Sequence, residues 1–398
     1  MLILNLRSSM NKYKYPLSSS TWGIEELKAI ERVTQLGNFT MGEEVERFEH
    51  MFSKYIGSKY SLMVNSGSSA NLLMIASLFY REANKVSIND EIIVPALGWS
   101  TSYYPFSQYG LKLKFVDIDK STLNYNLQSL EKAISKKTKV ILAINILGNP
   151  NNFTQIKQIT QGKEIILLED NCESLGADYN HKKAGTFGLI GTYSTFFSHH
   201  ISTMEGGLIT TDDDELYQIM LCLRAHGWTR NLPKNNFLTG TKSENEFEEF
   251  FKFVLPGYNV RPLEMSGAIG QEQLKKLPGF INNRRKNGLL FQKMMNDNPY
   301  LSIQKEIGRS SWFGFSLTIK NPDKLNRDSL QKKLIENSFE VRPVVTGNFT
   351  KQPVMKFLNT DITDGFPNAN YIHENSLFIG NHHYDMEEAI DKISKLIF

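Results

Sequence analysis

Cysteine is scarce: Cys172 and Cys222 are the only two in 398 residues. Two thiols cannot build a disulfide framework. Each lies in an apolar stretch, which reads as a small buried filler. An iron–sulfur centre held by about four thiolates is excluded. Long apolar runs are lacking as well. Met1-Leu2-Ile3-Leu4-Asn5-Leu6-Arg7 is far too short for a signal core or a span, and no later run approaches spanning length. Met10 is an alternative start. Strong charge of one sign is missing too: the net charge is +3, with no basic run and no interleaved aromatic platform. There is no internal repeat, no low-complexity tract and no group that reads as a metal site. These absences predict a cytoplasmic protein with no membrane, nucleic-acid or metal partner.

One further absence is local. No lysine stands between Lys183 and Lys234. Inside that gap lies Thr192-Tyr193-Ser194-Thr195-Phe196-Phe197-Ser198-His199-His200-Ile201-Ser202-Thr203-Met204-Glu205-Gly206-Gly207. It reads as a buried strand running into a turn, with a second strand over 208–211. If the end of the first strand remains extended, the side chains of His199 and His200 point to opposite sides.

The length favours one large and one smaller domain. Residues 1–25 read as an arm containing Pro16, the run Ser18-Ser19-Ser20 and Trp22-Gly23. Helical periodicity covers 25–35 and 43–55. Apolar runs at 61–64, 91–95, 112–117, 139–144 and 165–168 then alternate with helical patterns at 70–80, 127–134 and 154–160. That alternation predicts a mostly parallel sheet covered on both faces, with ligands beyond the carboxyl ends of its strands. The polar stretch 233–249 reads as an inserted loop or short helix. A helix over 262–277 meets Pro278-Gly279, which punctuates the chain. The large domain is therefore expected over 26–277. A small α+β domain follows over 278–398, with strands at 312–319 and 340–345 and helices at 328–337 and 386–397.

Several strand ends carry chemistry. Asn65-Ser66-Gly67-Ser68-Ser69 joins a strand to a helix, and such a turn offers free N–H groups to an anion. Trp99 ends an apolar strand and could stack on a planar ring. Asp170 emerges from a fully apolar run, where a carboxylate needs a partner. Glu169 competes with it, but alternation lets only one of the two face a given side.

Taken together, these motifs resemble the DegT/DnrJ/EryC1/StrS family of pyridoxal-phosphate sugar aminotransferases. The resemblance runs from Phe39-Thr40-Met41-Gly42 to Arg342 and beyond. It implies the aspartate-aminotransferase-like fold (fold type I) of the pyridoxal-phosphate enzymes, an α/β protein with a large mostly parallel sheet domain and a small C-terminal domain. Counting back from Glu205-Gly206-Gly207 puts His199 where the family has its cofactor-binding lysine. Lysine links covalently to the cofactor aldehyde; imidazole cannot, but it can carry a proton near neutral pH. The sugar 3-dehydratases of the family carry this histidine. The iron–sulfur type of 3-dehydrase is set aside by the missing cysteines.

The remaining roles come from the resemblance. Gly67, Ser68 and Ser194 would hold the phosphate of pyridoxal or pyridoxamine 5′-phosphate, Trp99 would cover its ring and Asp170 would hold its ring nitrogen. Glu173 would stand near its hydroxyl. Asn259, in Gly257-Tyr258-Asn259-Val260-Arg261, would reach the cofactor of a second subunit, which implies a homodimer with shared sites. His226, Arg230 and Arg342 are assigned to the substrate. The implied activity is C3 dehydration of a nucleotide-linked 4-keto-6-deoxyhexose in dideoxysugar biosynthesis, with L-glutamate as amino donor. The nucleotide, GDP or CDP, and the final sugar, colitose, abequose or another, stay open. The rival readings are an aminotransferase and a non-catalytic nucleotide-sugar-binding relative.

Overall fold

The computed structural model describes residues 12–362 and 365–396. Residues 1–11 of the expected arm, with Met10, lie outside that range. The strands of the large sheet are β1 (Tyr60–Val64), β2 (Glu91–Pro95), β3 (Lys112–Val116), β4 (Thr138–Ile144), β5 (Ile166–Asp170), β6 (Ile190–Ser194) and β7 (Gly207–Thr211). Four later strands are β8 (Leu301–Ser302), β9 (Gly314–Ile319), β10 (Val341–Arg342) and β11 (Thr360–Asp361), and β12 (Ser376–Gly380) follows. The large sheet has the order β1-β7-β6-β5-β4-β2-β3-β11. From β6 to β11 every neighbouring pair is parallel, while β7 runs antiparallel to both β1 and β6.

Both faces of this sheet are buried, which is why its strands read as continuous apolar runs. Leu62 and Val64 enter one core and Met63 another; Ile92 and Val94 face one side and Ile93 the other. The helices that cover the sheet include α2 (Glu43–Ile56), α3 (Gly67–Leu78), α4 (Asp214–Arg224) and α5 (Glu264–Met295), and α1 (Ile24–Leu36) packs on α5 through Ala29, Val33 and Ala268. A smaller antiparallel sheet, β8-β9-β12-β10, packs with the C-terminal half of α5 and with two more helices, α6 (Arg327–Glu336) and α7 (Glu387–Leu396).

Three local expectations are corrected. The helix expected to stop at Pro278-Gly279 continues through Pro278 to Met295. An interior proline costs about 3 kcal/mol. Against that, Leu274, Leu277 and Ile281 are buried in one core, with Met63, Tyr193 and Leu208 of the large sheet, and Phe291 and Met295 in another, with the smaller sheet. Burying a side chain of that size contributes roughly 1.5–3 kcal/mol, so together they outweigh the break. The strand expected over 340–345 shrinks to Val341–Arg342, because the chain turns there: Gly347 N–H donates to Val344 O at 2.8 Å and Val345 has φ 49. The strand end at Ser194 does not stay extended either, since residues 197–200 turn. The stretch 233–249 forms a short hairpin, Asn235–Asn236 with Gly240–Thr241, and enters a helix at Glu246–Phe250.

The start of α2 is capped from far along the chain. Gly42, the residue before it, has no side chain to cap with. The carboxylate of Glu264, at the start of α5, accepts the N–H groups of Gly42 at 2.6 Å, Glu44 at 2.7 Å and Val45 at 3.3 Å. It neutralises the donors that a helix start leaves open and ties α2 to α5. Glu264→Ala should therefore lower the unfolding free energy by roughly 1–3 kcal/mol in a denaturant titration, because buried N–H groups lose their acceptor.

Candidate active site

The site forms where β2, β5 and β6 end. Asp170 shares strand parity with Ile166 and Leu168, which face the core that also contains α3 residues. On that face its Oδ2 accepts Asn71 Nδ2 at 2.9 Å and Ser102 Oγ at 2.7 Å, while Oδ1 accepts the Cys172 N–H at 3.0 Å. Glu169 points the other way, as alternation requires. Its carboxylate accepts the N–H groups of Gly185, Phe187 and Gly188, each at 2.6 Å. Burial lifts Glu169 to about 7 although those three donors oppose the rise.

Beside Asp170, α3 begins. Ser66 Oγ caps the Ser69 N–H at 3.0 Å, and Ala70 N–H bonds to Ser66 O. This leaves the N–H groups of Gly67 and Ser68 as the open donors of the helix start. Gly67 is required by close approach. A Cβ there would meet Ser194 Cβ at 2.8 Å and Cys172 Sγ at 3.0 Å. The end of β6, with Ser194, thus lies directly against the helix start. Trp99, 54% exposed, follows β2 and lies at the edge of the same cavity.

The turn after β6 delivers His199. Its N–H donates to Phe196 O at 2.9 Å, its ring packs 5.2 Å from that of Phe313, and its buried Nδ1 has no hydrogen-bond partner among the described residues. Burial first, then the Arg342 charge, pull its imidazole down to about 4. It is therefore neutral at physiological pH. His200 is fully buried with Nε2 3.3 Å from Ser311 O, and it does not line the cavity. Glu173 accepts the Leu147 N–H at 3.0 Å; burial raises its carboxyl and Arg342 opposes the rise. Arg342 lies over the Phe378 ring at 4.6 Å.

These groups enclose a cavity of about 310 Å³. Of the residues expected from the sequence, Gly67, Ser68, Trp99, Asp170, Glu173, Ser194, His199 and Arg342 all line it. His226, Arg230 and Asn259 do not line it. Asn259 is exposed and its Oδ1 accepts Arg261 Nε at 2.9 Å. Arg230 lies between Trp228 and Phe250, with centroid distances of 4.1 and 4.0 Å. Sequence reasoning passed over Asn71, Ser102, Ser198, Glu205, Phe313 and Val345, which also line the cavity. Asn71 could have been found, because it stands four residues after Gly67 on the same helix face. Phe313 and Val345 come from the chain beyond α5 and carried no such signal.

The residues fit a planar phosphate-bearing cofactor. Two open N–H groups at a helix start suit a phosphate, a triply held carboxylate suits a protonated ring nitrogen, and an exposed indole suits a ring face. Among the described residues, no lysine lines the cavity.

Comparison with known proteins agrees with this geometry. A profile of the DegT/DnrJ/EryC1/StrS aminotransferase family matches residues 21–398, and the chain belongs to that family. It is 58% identical to the GDP-4-keto-6-deoxy-D-mannose 3-dehydratase of Yersinia pseudotuberculosis, over 96% of this chain and 98% of that one. The solved structure of the Escherichia coli GDP-4-keto-6-deoxy-D-mannose 3-dehydratase with bound hydrated PLP superposes with a TM-score of 0.96 at 56% identity, covering 97% of this chain and 100% of that one. A structure of GDP-4-keto-6-deoxymannose 3-dehydratase with a trapped PLP-glutamate geminal diamine has the same TM-score, identity and coverage. The fold is that of the pyridoxal-phosphate aminotransferases.

The histidines give a pH signature. His199 is drawn to about 4, His382 to about 3 and His383 to about 4, burial being the leading cause in each, and burial drives His200 well below its ordinary value. Such a histidine takes its proton more readily in the unfolded chain. Its contribution to stability is full above about pH 6.5 and is lost as pH falls toward the folded value. Denaturant titrations of the cofactor-free protein should show stability falling from about pH 6.5 to 4, and His199→Asn should flatten that slope.

Proposed function

We propose that the protein is a pyridoxal/pyridoxamine 5′-phosphate-dependent 3-dehydratase acting on GDP-4-keto-6-deoxy-D-mannose, with L-glutamate as amino donor. One observation supports the reading: among the described residues a histidine held neutral, and no lysine, lines a cavity whose other residues suit the cofactor. The choice of GDP and of this sugar rests on the relatives' names and their identity to the chain.

When bound, the pyridoxamine form supplies the amine that condenses with the C4 ketone and the conjugated ring that relays electrons toward C3. The chain's own residues do the rest. Gly67, Ser68 and Ser194 hold the phosphate. Asp170, fixed by Asn71, Ser102 and the Cys172 N–H, keeps the ring nitrogen protonated. Trp99 covers the ring face. His199 takes a proton at the cofactor's C4′ carbon, and the hydroxyl leaves from C3. Because imidazole has no primary amine, His199 cannot tether the cofactor, and proton transfer is all it can perform. Overall, the sugar's C3 hydroxyl is replaced by hydrogen. The two electrons come from glutamate, which leaves as 2-oxoglutarate with one ammonia. The product is a 4-keto-3,6-dideoxy sugar.

We also propose a homodimer with shared sites. His226, Arg230 and Asn259 stand away from their own cavity, and near them Phe247 is 90% exposed, with Phe250, Phe251 and Phe253 also exposed. An apolar surface of that kind marks an interface. The implied partner is a second copy, whose site these residues would complete.

His199→Lys should let borohydride fix cofactor covalently to the chain and should suppress deoxygenation. Wild-type protein labelled at a lysine would sink the assignment. His199→Asn should slow loss of isotope from C4′-labelled pyridoxamine phosphate by about 10²–10⁴-fold with keto-sugar present, while cofactor still binds. His200→Asn should act through packing and cost far less; the opposite result would move the base to His200. For the dimer, inactive His199→Asn and Asn259→Ala proteins should regain activity after subunit exchange, since one site in each heterodimer carries neither change. Verified exchange without recovery counts against shared sites.

A further inference from the structure

We infer that Trp22 and Gln273 are positioning residues for His199, gripping the turn that carries it and so setting how deeply the imidazole enters the cavity; the inference rests on His199 being the base. The stem of that turn closes on itself. Thr203 N–H donates to Thr195 O and Thr195 N–H to Gly206 O, both at 2.9 Å, and the hydroxyls of Thr195 and Thr203 meet at 2.5 Å. These bonds fix the base of the turn and leave its tip to other contacts.

Next to that stem the turn is gripped at one residue, Ser202, three positions after His199. Its N–H donates to Gln273 Oε1 at 3.0 Å, and its carbonyl accepts the Trp22 indole N–H at 2.9 Å. Both polar atoms of one peptide residue are thus held by distant side chains. Gln273 is fully buried on α5 and has no freedom to swing. Its Oε1 also accepts the Thr21 hydroxyl at 2.6 Å, and its Nε2 donates to Thr21 O at 3.1 Å and to Glu26 Oε1 at 2.7 Å. The arm that presents Trp22 is anchored in turn on residues flanking the smaller sheet. The Tyr15 ring stacks on Phe339 at 4.4 Å, Leu17 N–H donates to Glu340 Oε2 at 2.8 Å, and the His382 ring spans Ser19 Oγ and Pro16 O.

On its other side, the histidine pair is braced by the contact of His200 with Ser311 O. The turn itself is not a relaxed shape, because Met204 sits at φ 68, a left-handed conformation that a side chain such as methionine seldom adopts. A base must come within about 2.6–3.2 Å of the proton it takes. A misplacement of about 1 Å from a distant change can cost about 10²-fold in rate. A grip at Ser202 controls that distance without touching cofactor or substrate.

Trp22→Phe keeps an aromatic ring while removing the donor with the five-membered ring that carries it, so it is the primary test; Gln273→Met is the second. Peptide-level amide exchange of the cofactor-free protein should accelerate about 10-fold over residues 198–203 in Trp22→Phe and stay at the wild-type rate elsewhere. Isotope loss from labelled pyridoxamine phosphate with keto-sugar should slow about 10–10²-fold. Affinity for pyridoxamine phosphate, read by fluorescence, should stay within about threefold, since the phosphate and ring contacts are untouched. Wild-type amide exchange over 198–203 overturns the grip. So does local acceleration with proton transfer still at the wild-type rate. A slowing matched by equal loss of affinity and by faster exchange across the whole chain means a general structural role and overturns the inference. His199→Asn protein that still transfers the proton overturns the reading of the base instead, and leaves the amide-exchange result standing.

Discussion

Two consecutive carboxylates at the end of a buried strand must both find partners, and much of the site follows from how they do so. Glu169 and Asp170 end β5, between parallel neighbours in a sheet covered on both faces. Pleating sends them to opposite sides. Glu169 gathers three N–H groups from residues 185–188, the turn that leads into β6. That fixes where β6 begins, and with it where Ser194 and the His199 turn emerge. Asp170 gathers Asn71, Ser102 and the Cys172 N–H, which ties together α3, the segment after β2 and the end of β5. An unpaired carboxylate there would carry a heavy desolvation cost. The need to satisfy both therefore assembles the part of the cavity built on the large sheet.

The chain beyond α5 supplies the other wall. Phe313 precedes β9 and packs against both histidine rings, while Arg342 ends β10 and Val345 lies on the turn that follows it. Helix α5 holds the two parts together because one continuous helix enters both cores. Arg284, deep on that helix, donates to Phe313 O at 3.2 Å and to Asn381 O at 2.7 Å. Its charge and that of Arg342 lie close enough to hold down the His199 proton affinity. An imidazole kept neutral has its lone pair free to accept a proton, while the lowered proton affinity makes it a weaker base than an ordinary histidine.

The sequence by itself determined the strand order's raw material and most of the cavity's lining. Alternation of apolar runs and helical patterns is a local property, and burial of both sheet faces makes it loud. Gly67, Trp99, Asp170, Ser194 and His199 sit at strand ends or helix starts, where a residue type is informative without knowing its neighbours. The missing lysine was legible because a Glu-Gly-Gly turn gave the register. Tertiary structure alone decided the rest. The path of α5 through Pro278 depended on two cores that lie far apart in sequence. The cap on α2 comes from Glu264, and the hold on Ser202 from Trp22 and Gln273. Phe313 and Val345 reach the cavity only because the chain beyond α5 packs back against the core of the large sheet. Contacts of that range leave no periodic mark on the chain, since each is one side chain meeting one distant group, and only the packed fold brings them within hydrogen-bond reach.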